Sequence, residues 1–300
     1  MVASYVELWK TGELARRAED ALDRLSHCEL CPRRCGADRL AGKTGKCRTG
    51  RLAVMSSYGA HFGEEPPLVG RYGSGTIFFT NCNLECIYCQ NHEISHGGQG
   101  DPVEAEQLAL VMVALQRRGC HNVNLVSPSH VVPQILEALV LAAGMGLQVP
   151  LVYNSGGYDS LETLRLLEGV VDIYMPDMKY SDEETGRTLS GVANYPAVNR
   201  EAVREMHRQV GDLLLDQRGI AERGLLVRHL VLPGGLAGTE AVVGFLAREV
   251  SPNSYLNVMA QYRPCFRAGS HPTLRRYPTR HEFDRAVAAA KAAGLSRLGS

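Results

Sequence analysis

From residue 75 onward, short apolar runs alternate with longer segments in which polar positions recur at helical spacing. The runs "TIFFT", "NVNLV", "VPLVY", "VDIYM", "LLVRHLVL" and "YLNVMAQ" have strand length and are rich in β-branched or aromatic residues, so each predicts a strand. Helix-length segments separate them. "EQLALVMVALQRRG" is apolar nearly all round until its end, as expected of a helix pressed against a sheet. "DPVE" at 101–104 predicts a helix start capped by Asp101 with Pro102 in the first turn, and "SDEE" and "TRHE" predict capping boxes opening at Ser181 and Thr279. Six successive strand–helix units imply an α/β fold with a helix-covered parallel sheet. Right-handed crossovers coil such a sheet in one sense, into a partial (β/α)6 barrel. Pattern alone does not separate that barrel from a flat, doubly wound sheet.

Upstream of this rhythm the pattern changes. Residues 1–27 read as mainly helical, 28–50 as a Cys-rich, Gly-rich and basic loop, and 51–74 as short strands and turns such as "GEEPP" and "GRYGSG". The expected division is an extension over 1–74, helical with a four-cysteine metal site, and a barrel over 75–300. "ILEALVLAAGMGLQVPLVY" approaches the length of a membrane span, but Gly144, Gly146 and Pro150 break it into a buried helix and a buried strand. The start, "MVASYVELWKTGELARRAED", has no continuous apolar stretch behind a charged one, and predicts an amphipathic helix in place of a secretory signal.

Composition narrows the class. With 45% hydrophobic residues over 300 positions, the chain can bury one large core. Lys plus Arg equals Asp plus Glu at 32 each, so no basic excess gathers a polyanion, which weighs against nucleic acid as a partner. Nine cysteines without an export signal point to a reducing cytoplasm, where clustered thiols serve metals more often than disulfides.

In a parallel α/β fold the active site belongs at the carboxyl ends of the strands. The unusual polar segments fall there: "TNCNLEC", "SPSH", "NSGGY", "PDMK" and "QYRPC". The first continues into "IYCQNHE" and carries Cys82, Cys86 and Cys89. Structural zinc wants four closed ligands, and an electron-transfer [4Fe-4S] cluster wants four cysteines. Three thiols leave one iron corner open to a substrate or cofactor. A zinc site completed by His92 or His96 is the alternative, and would make the chain a zinc-stabilised scaffold and not an enzyme.

With Tyr88 directly before the last thiol, this motif resembles the signature of the radical S-adenosylmethionine superfamily. The "CQN" that follows and the additional amino-terminal cysteines resemble a branch like the pyruvate formate-lyase activating enzyme (PflX-like). The resemblance implies an iron–sulfur oxidoreductase that cleaves S-adenosylmethionine to a 5'-deoxyadenosyl radical and abstracts hydrogen from a substrate. Cys82, Cys86 and Cys89 would hold the cluster. Tyr88 would lie against the adenine, Ser127 and Ser129 near the methionine amino group, and Asn154 and Ser155 at the ribose, with Gly156 and Gly157 allowing close backbone approach. Asp177 and Lys179 alternate onto one side of a strand end, towards the cofactor. Tyr153 stands where the activating enzyme has a cation-holding Asp.

Arg228, a charge inside an apolar strand, needs an anion, and the methionine carboxylate suits its fork. His229 points to the opposite face and reads as structural. Gln261, Tyr262 and Arg263 are placed to meet substrate, whereas Cys120 and Cys265 read as inert buried thiols. Cys28, Cys31, Cys35 and Cys47 form a complete set for a second site, an auxiliary iron–sulfur cluster or zinc. The arginine pairs 16–17, 33–34 and 275–276 read as solvated. The expected partners are a reduced ferredoxin or flavodoxin as electron donor, and a protein or peptide substrate admitted by the incomplete barrel. A small molecule or RNA is the alternative substrate.

Overall fold

The computed structural model describes residues 2–299. All six apolar runs are strands. In chain order the elements are α1 (Tyr5–Lys10), α2 (Glu13–Asp23), β1 (Ala53–His61), α3 (Pro66–Val69), β2 (Ser74–Phe79), α4 (His92–Ser95), β3 (Asp101–Val103), α5 (Ala105–Arg117), β4 (Val123–Val126), α6 (Val132–Gly144) and β5 (Leu151–Ser155). They continue with α7 (Leu161–Leu166), β6 (Ile173–Pro176), α8 (Glu183–Ser190), α9 (Tyr195–Val210), β7 (Leu214–Leu215), β8 (Ala221–Leu230), α10 (Thr239–Phe245), β9 (Tyr255–Met259), α11 (Arg280–Ala292) and β10 (Leu298–Gly299). The sheet order is β10-β9-β8-β6-β5-β4-β2-β1-β3, with β7 paired to β8. From β2 to β10 neighbouring strands along this path run parallel, while β1 is antiparallel to both β2 and β3. Strands β3 and β10 end the path without pairing to each other, so the barrel is partial and open on one side.

Alternation along the strands sorts side chains between two cores. Ile77, Leu125, Tyr153, Tyr174 and Val227 face outward into the main core, packed with α5, α6 and α9. Val152, Ile173, Met175 and Leu226 face the lumen and close on Leu68 of α3, which plugs the barrel. The strap before α3 crosses the open side. His61 at the end of β1 lies 3.6 Å from Glu64, and Asn257 of β9 donates to Glu65 at 3.1 Å.

Two helix starts differ from expectation. Asp101–Val103 is an edge strand on β1, where a proline is tolerated, and α5 begins after Glu104, which forms its capping box with Gln107. Helix α8 is capped by Asp182 and not Ser181, because the Asp182 carboxylate accepts from the Glu184 and Thr185 amides. The Thr279 box stands as read. Residues 5–27 are mainly helical as expected, and "GEEPP" sits in the strap and α3. The sheet also runs across residue 75, since β1 pairs with β2 along most of its length. Among the described residues no helix is long and apolar enough to cross a membrane.

Candidate functional site

The carboxyl ends of the parallel strands open into a cavity of about 250 Å³ whose wall includes Cys82, Cys86 and Cys89 from the loop after β2. Opposite the thiols stand Ser127, Asn154, Ser155, Asp177, Lys179 and Arg228, from the ends of β4, β5, β6 and β8. With Met259 and Gln261 at the end of β9, six segments distant in sequence meet on one rim. Two glycines after β5 let the rim turns pack. Gly157 has φ +72°, and a Cβ there would stand 2.1 Å from the Asp177 carbonyl oxygen. Asn199 of α9 ties the same two turns by donating to the Gly157 and Asp177 carbonyls, each at 2.9 Å.

Asp177 is the centre of the charged wall. Its carboxylate accepts from Lys179 Nζ at 2.5 Å and from Arg228 Nε at 2.9 Å. Burial alone would push Asp177 up, but the Arg228 and Lys179 charges overrule it and hold the carboxyl below the usual range. Burial would likewise lower Lys179, and Asp177 instead carries it above its ordinary value. Arg228 also donates to Asn154 Oδ1 at 2.7 Å and has Glu64 and Glu65 of the strap at 4.0 and 3.9 Å. Its anions are thus internal, and the expectation that it lacks one without a ligand is corrected. Glu64 and Glu65 were missed in the sequence. Glu64 is pushed up by burial, eased by the Arg228 charge.

Each thiol of the loop meets a polar neighbour. Cys86 Sγ lies 3.0 Å from Ser190 Oγ, Cys89 Sγ lies 3.1 Å from Ser95 Oγ, and the Leu84 amide donates to Cys82 Sγ at 3.4 Å. Burial first, then the neighbouring Cys86, pushes the Cys82 thiol up to about 12, so without metal this group holds its proton. Hydroxyl and amide donors aimed at sulfur are the contacts that tune an iron–sulfur centre. The donor set fits a cube that takes each thiolate on a different iron. Among the described residues, no three His, Cys, Asp or Glu side chains are grouped as one shared metal ion requires. His92 and His96 do not line the cavity; they face a neighbouring groove, where His96 bonds Ser95.

The other expected residues divide. Tyr88 lines the cavity, yet its hydroxyl is bonded to Tyr180, which continues through Ser190 to Cys86. Ser155 lines the wall, with its hydroxyl donated to Asp159. Ser129 is buried off the wall, next to Ser127, which turns the chain at φ +59°. Tyr153 faces the outer core and donates to Asp159, so it is not at the rim. Gln261 lines the cavity, and its carbonyl accepts from Gln90 at 3.0 Å; Tyr262 is buried and donates to Leu274, and Arg263 is not on the wall. His229 is structural, spanning Met178 and Thr239. Cys120 is a core thiol, whereas Cys265 rests on the thiol loop, its Sγ 3.3 Å from the Tyr88 carbonyl.

Behind the loop, His130 donates from Nε2 to the Thr80 carbonyl at 3.0 Å and leaves Nδ1 buried without a partner. Burial, with the Arg39 charge adding to it, lowers this imidazole to about 4. The unfolded chain takes up that proton near pH 6.5 and the folded chain does not, so stability falls as pH drops from about 6.5 to about 4. The expected loss is about 3 kcal/mol. Urea unfolding across that window should show it, with a shallower slope in His130→Gln; an equal slope in the variant would place the effect elsewhere.

Residues 76–215 match the family model for the Radical SAM superfamily. Over 301 aligned residues the chain is 31% identical to "Uncharacterized protein MJ0674" of Methanocaldococcus jannaschii, covering 98% of this chain and 82% of the relative. Among solved structures, a radical SAM methyltransferase from Sphaerobacter thermophilus is similar at TM-score 0.49 and 14% identity, covering 74% of this chain and 64% of that one. Streptococcus suis SuiB bound to precursor peptide SuiA is similar at TM-score 0.50 and 10% identity, covering 73% and 46%. The chain thus spans less than two thirds of either solved chain, and the second likeness is one of fold.

Proposed function

Residues 76–215 carry a radical SAM superfamily domain, and from that premise we propose that this enzyme abstracts hydrogen from a protein or peptide partner admitted through the open side of its barrel. Within the superfamily we assign it to the branch like the pyruvate formate-lyase activating enzyme, on the "CQN" after the motif and the extra amino-terminal thiols. When bound, a [4Fe-4S] cluster and S-adenosylmethionine supply one-electron cleavage of a sulfonium C–S bond and a 5'-deoxyadenosyl radical. Cys82, Cys86 and Cys89 would hold the cluster. A low-potential carrier such as reduced ferredoxin or flavodoxin would supply the electron.

The observation that carries this reading is the meeting of three thiols and one buried charge network on a single cavity wall. Arg228 donates to Asp177 and Asn154 from Nε and Nη2 and keeps Nη1, which lies 4.0 Å from Glu64, whereas the Lys179 ammonium has three donors and spends one on Asp177. Both cations therefore keep two donors that could reach the methionine carboxylate. Asp177 keeps both cations charged and fixes their spacing. Tyr88, Ser127, Asn154 and Ser155 would form the polar surround, and Gln90 with Gln261 bridges the rim.

The test is an EPR spectrum of the reduced, anaerobically prepared protein before and after S-adenosylmethionine is added. A changed cluster signal is expected, and an identical spectrum would overturn the reading. Release of 5'-deoxyadenosine that rises with a protein or peptide fraction, and not with small metabolites, supports the proposed substrate class; the reverse assigns a small molecule.

A further inference from the structure

Arg39 is 1% exposed, and among the described residues no carboxylate stands within ion-pair reach of it. Its guanidinium donates to the Gly50 carbonyl from Nε at 3.0 Å and from Nη2 at 2.8 Å, and to the His130 carbonyl from Nη1 at 2.9 Å. The remaining neighbour is Cys28 Sγ, 3.8 Å from Nη1. A buried guanidinium facing carbonyls and a neutral thiol is costly, because dipoles do not replace the counter-charge lost with water. An anion at Cys28 removes that cost.

The backbone around Cys28 is held by two local contacts. Cys28 and Ala37 form an isolated antiparallel bridge, and the Gly36 amide donates back to the Cys28 carbonyl at 3.0 Å. A Cβ at Gly45 would stand 2.3 Å from Cys35 Sγ, so only glycine lets the segment leading to Cys47 close over that thiol. Cys28, Cys31 and Cys47 are buried and Cys35 is exposed.

We propose that Cys28, Cys31, Cys35 and Cys47 hold a tetrathiolate metal centre of net negative charge, and that buried Arg39 is its counter-ion. Four thiols release four protons as the metal enters. A divalent zinc or a doubly charged iron–sulfur cube on four thiolates leaves two negative charges, so both give Arg39 its anion. Tetrahedral zinc gathers its sulfurs to within roughly 3.8 Å of one another. Neither thiol set is gathered about one ion position, an arrangement that a cube meets with less side-chain movement.

The loop is also tied to the segments that carry the barrel thiols. Arg33 Nε donates to the Asn83 carbonyl at 2.6 Å, next to Cys82. Arg48 donates to the His96 and Ser95 carbonyls at 2.6 and 2.9 Å, and Ser95 is the hydroxyl at Cys89. Asn81 Nδ2 donates to Thr49 at 3.4 Å. The seat of the second centre is thus fixed to the back of the first.

The proposal does not depend on what the barrel thiols bind, and its test separates the two. In the full chain carrying C82A, C86A and C89A, anaerobic reconstitution with iron and sulfide, or with zinc alone, should leave either about four irons with sulfide or about one zinc per chain. Adding C31S and C47S should remove it. A triple variant that retains neither metal overturns the centre. In that triple background, Arg39→Met should lose metal to a chelator some 10- to 100-fold faster, and Arg39→Lys should recover much of the retention. Equal retention in all three proteins, with matching circular dichroism, overturns Arg39 as the counter-ion.

Discussion

Cys86→Ala removes the iron of the barrel cluster and brings 5'-deoxyadenosine formation down to background, a fall of at least roughly six orders of magnitude if the step is the catalysed one. Cys86 is buried, lies 3.0 Å from Ser190 and shares one wall with Cys82 and Cys89. With one thiolate gone the loop offers two ligands, and no cysteine on that wall replaces it. The informative control is Cys265→Ser. Its thiol contacts the Tyr88 and Cys89 carbonyls and does not line the cavity, and a serine hydroxyl can keep such contacts. Iron content and 5'-deoxyadenosine yield in Cys265→Ser should stay near wild type. A loss equal to that of Cys86→Ala would mean that a fourth side chain holds the cluster, and no corner is left for S-adenosylmethionine.

Asp177→Asn should destabilise the protein by about 3–5 kcal/mol, the usual result of removing one partner from a buried ion cluster. Asparagine keeps the shape and loses the charge that Lys179 and Arg228 share. The strap glutamates remain near Arg228 but do not reach Lys179, so the ammonium suffers most. Because the folded-state carboxyl is held down, its contribution is fully present above the ordinary carboxylate pKa of about 3.9 and is lost as pH falls through the lower folded value. Urea unfolding of wild type, Asp177→Asn and the double variant with Lys179→Met checks this. Removing both partners should restore part of the loss. Additive losses would show that the pair is not coupled, and a change below about 1 kcal/mol would show that the network is solvated.

The strands were legible because a buried parallel strand must be an apolar, β-branched run, and six such runs have few other uses. The thiol motif was legible because its ligands lie within eight residues of each other. Strand β1 was read only as short strands and turns, since half of its side chains face solvent and its pattern is diluted. Glu64 and Glu65 were hidden for a different cause. Their partner Arg228 lies more than 160 positions away, and "GEEPP" alone looks like an exposed turn. Arg33 was read as half of a solvated pair, yet its side chain is only 11% exposed and clasps Asn83. Arg39 carried no signal beyond its place in a cysteine-rich loop, because what makes it unusual is the lack of a carboxylate near it in space. Ser129 lies off the cavity wall, beside the left-handed turn at Ser127 that the sequence does not signal.

The seating of the amino terminus has a consequence for how the chain is made. The Ser4 amide is held by Asp172 and its hydroxyl by Arg223, and the Leu30 carbonyl accepts from Ser160 and Thr163. At ~5–20 residues per second on the ribosome, the partner of Ser4 emerges on the order of 10–40 s after it. Until then helices α1 and α2 and the four cysteines that follow them lack part of their seat, although α6 is already there for them to pack on. This segment thus waits for later-made partners, and a cell short of metal or rich in oxidant meets those sulfurs while translation is still under way.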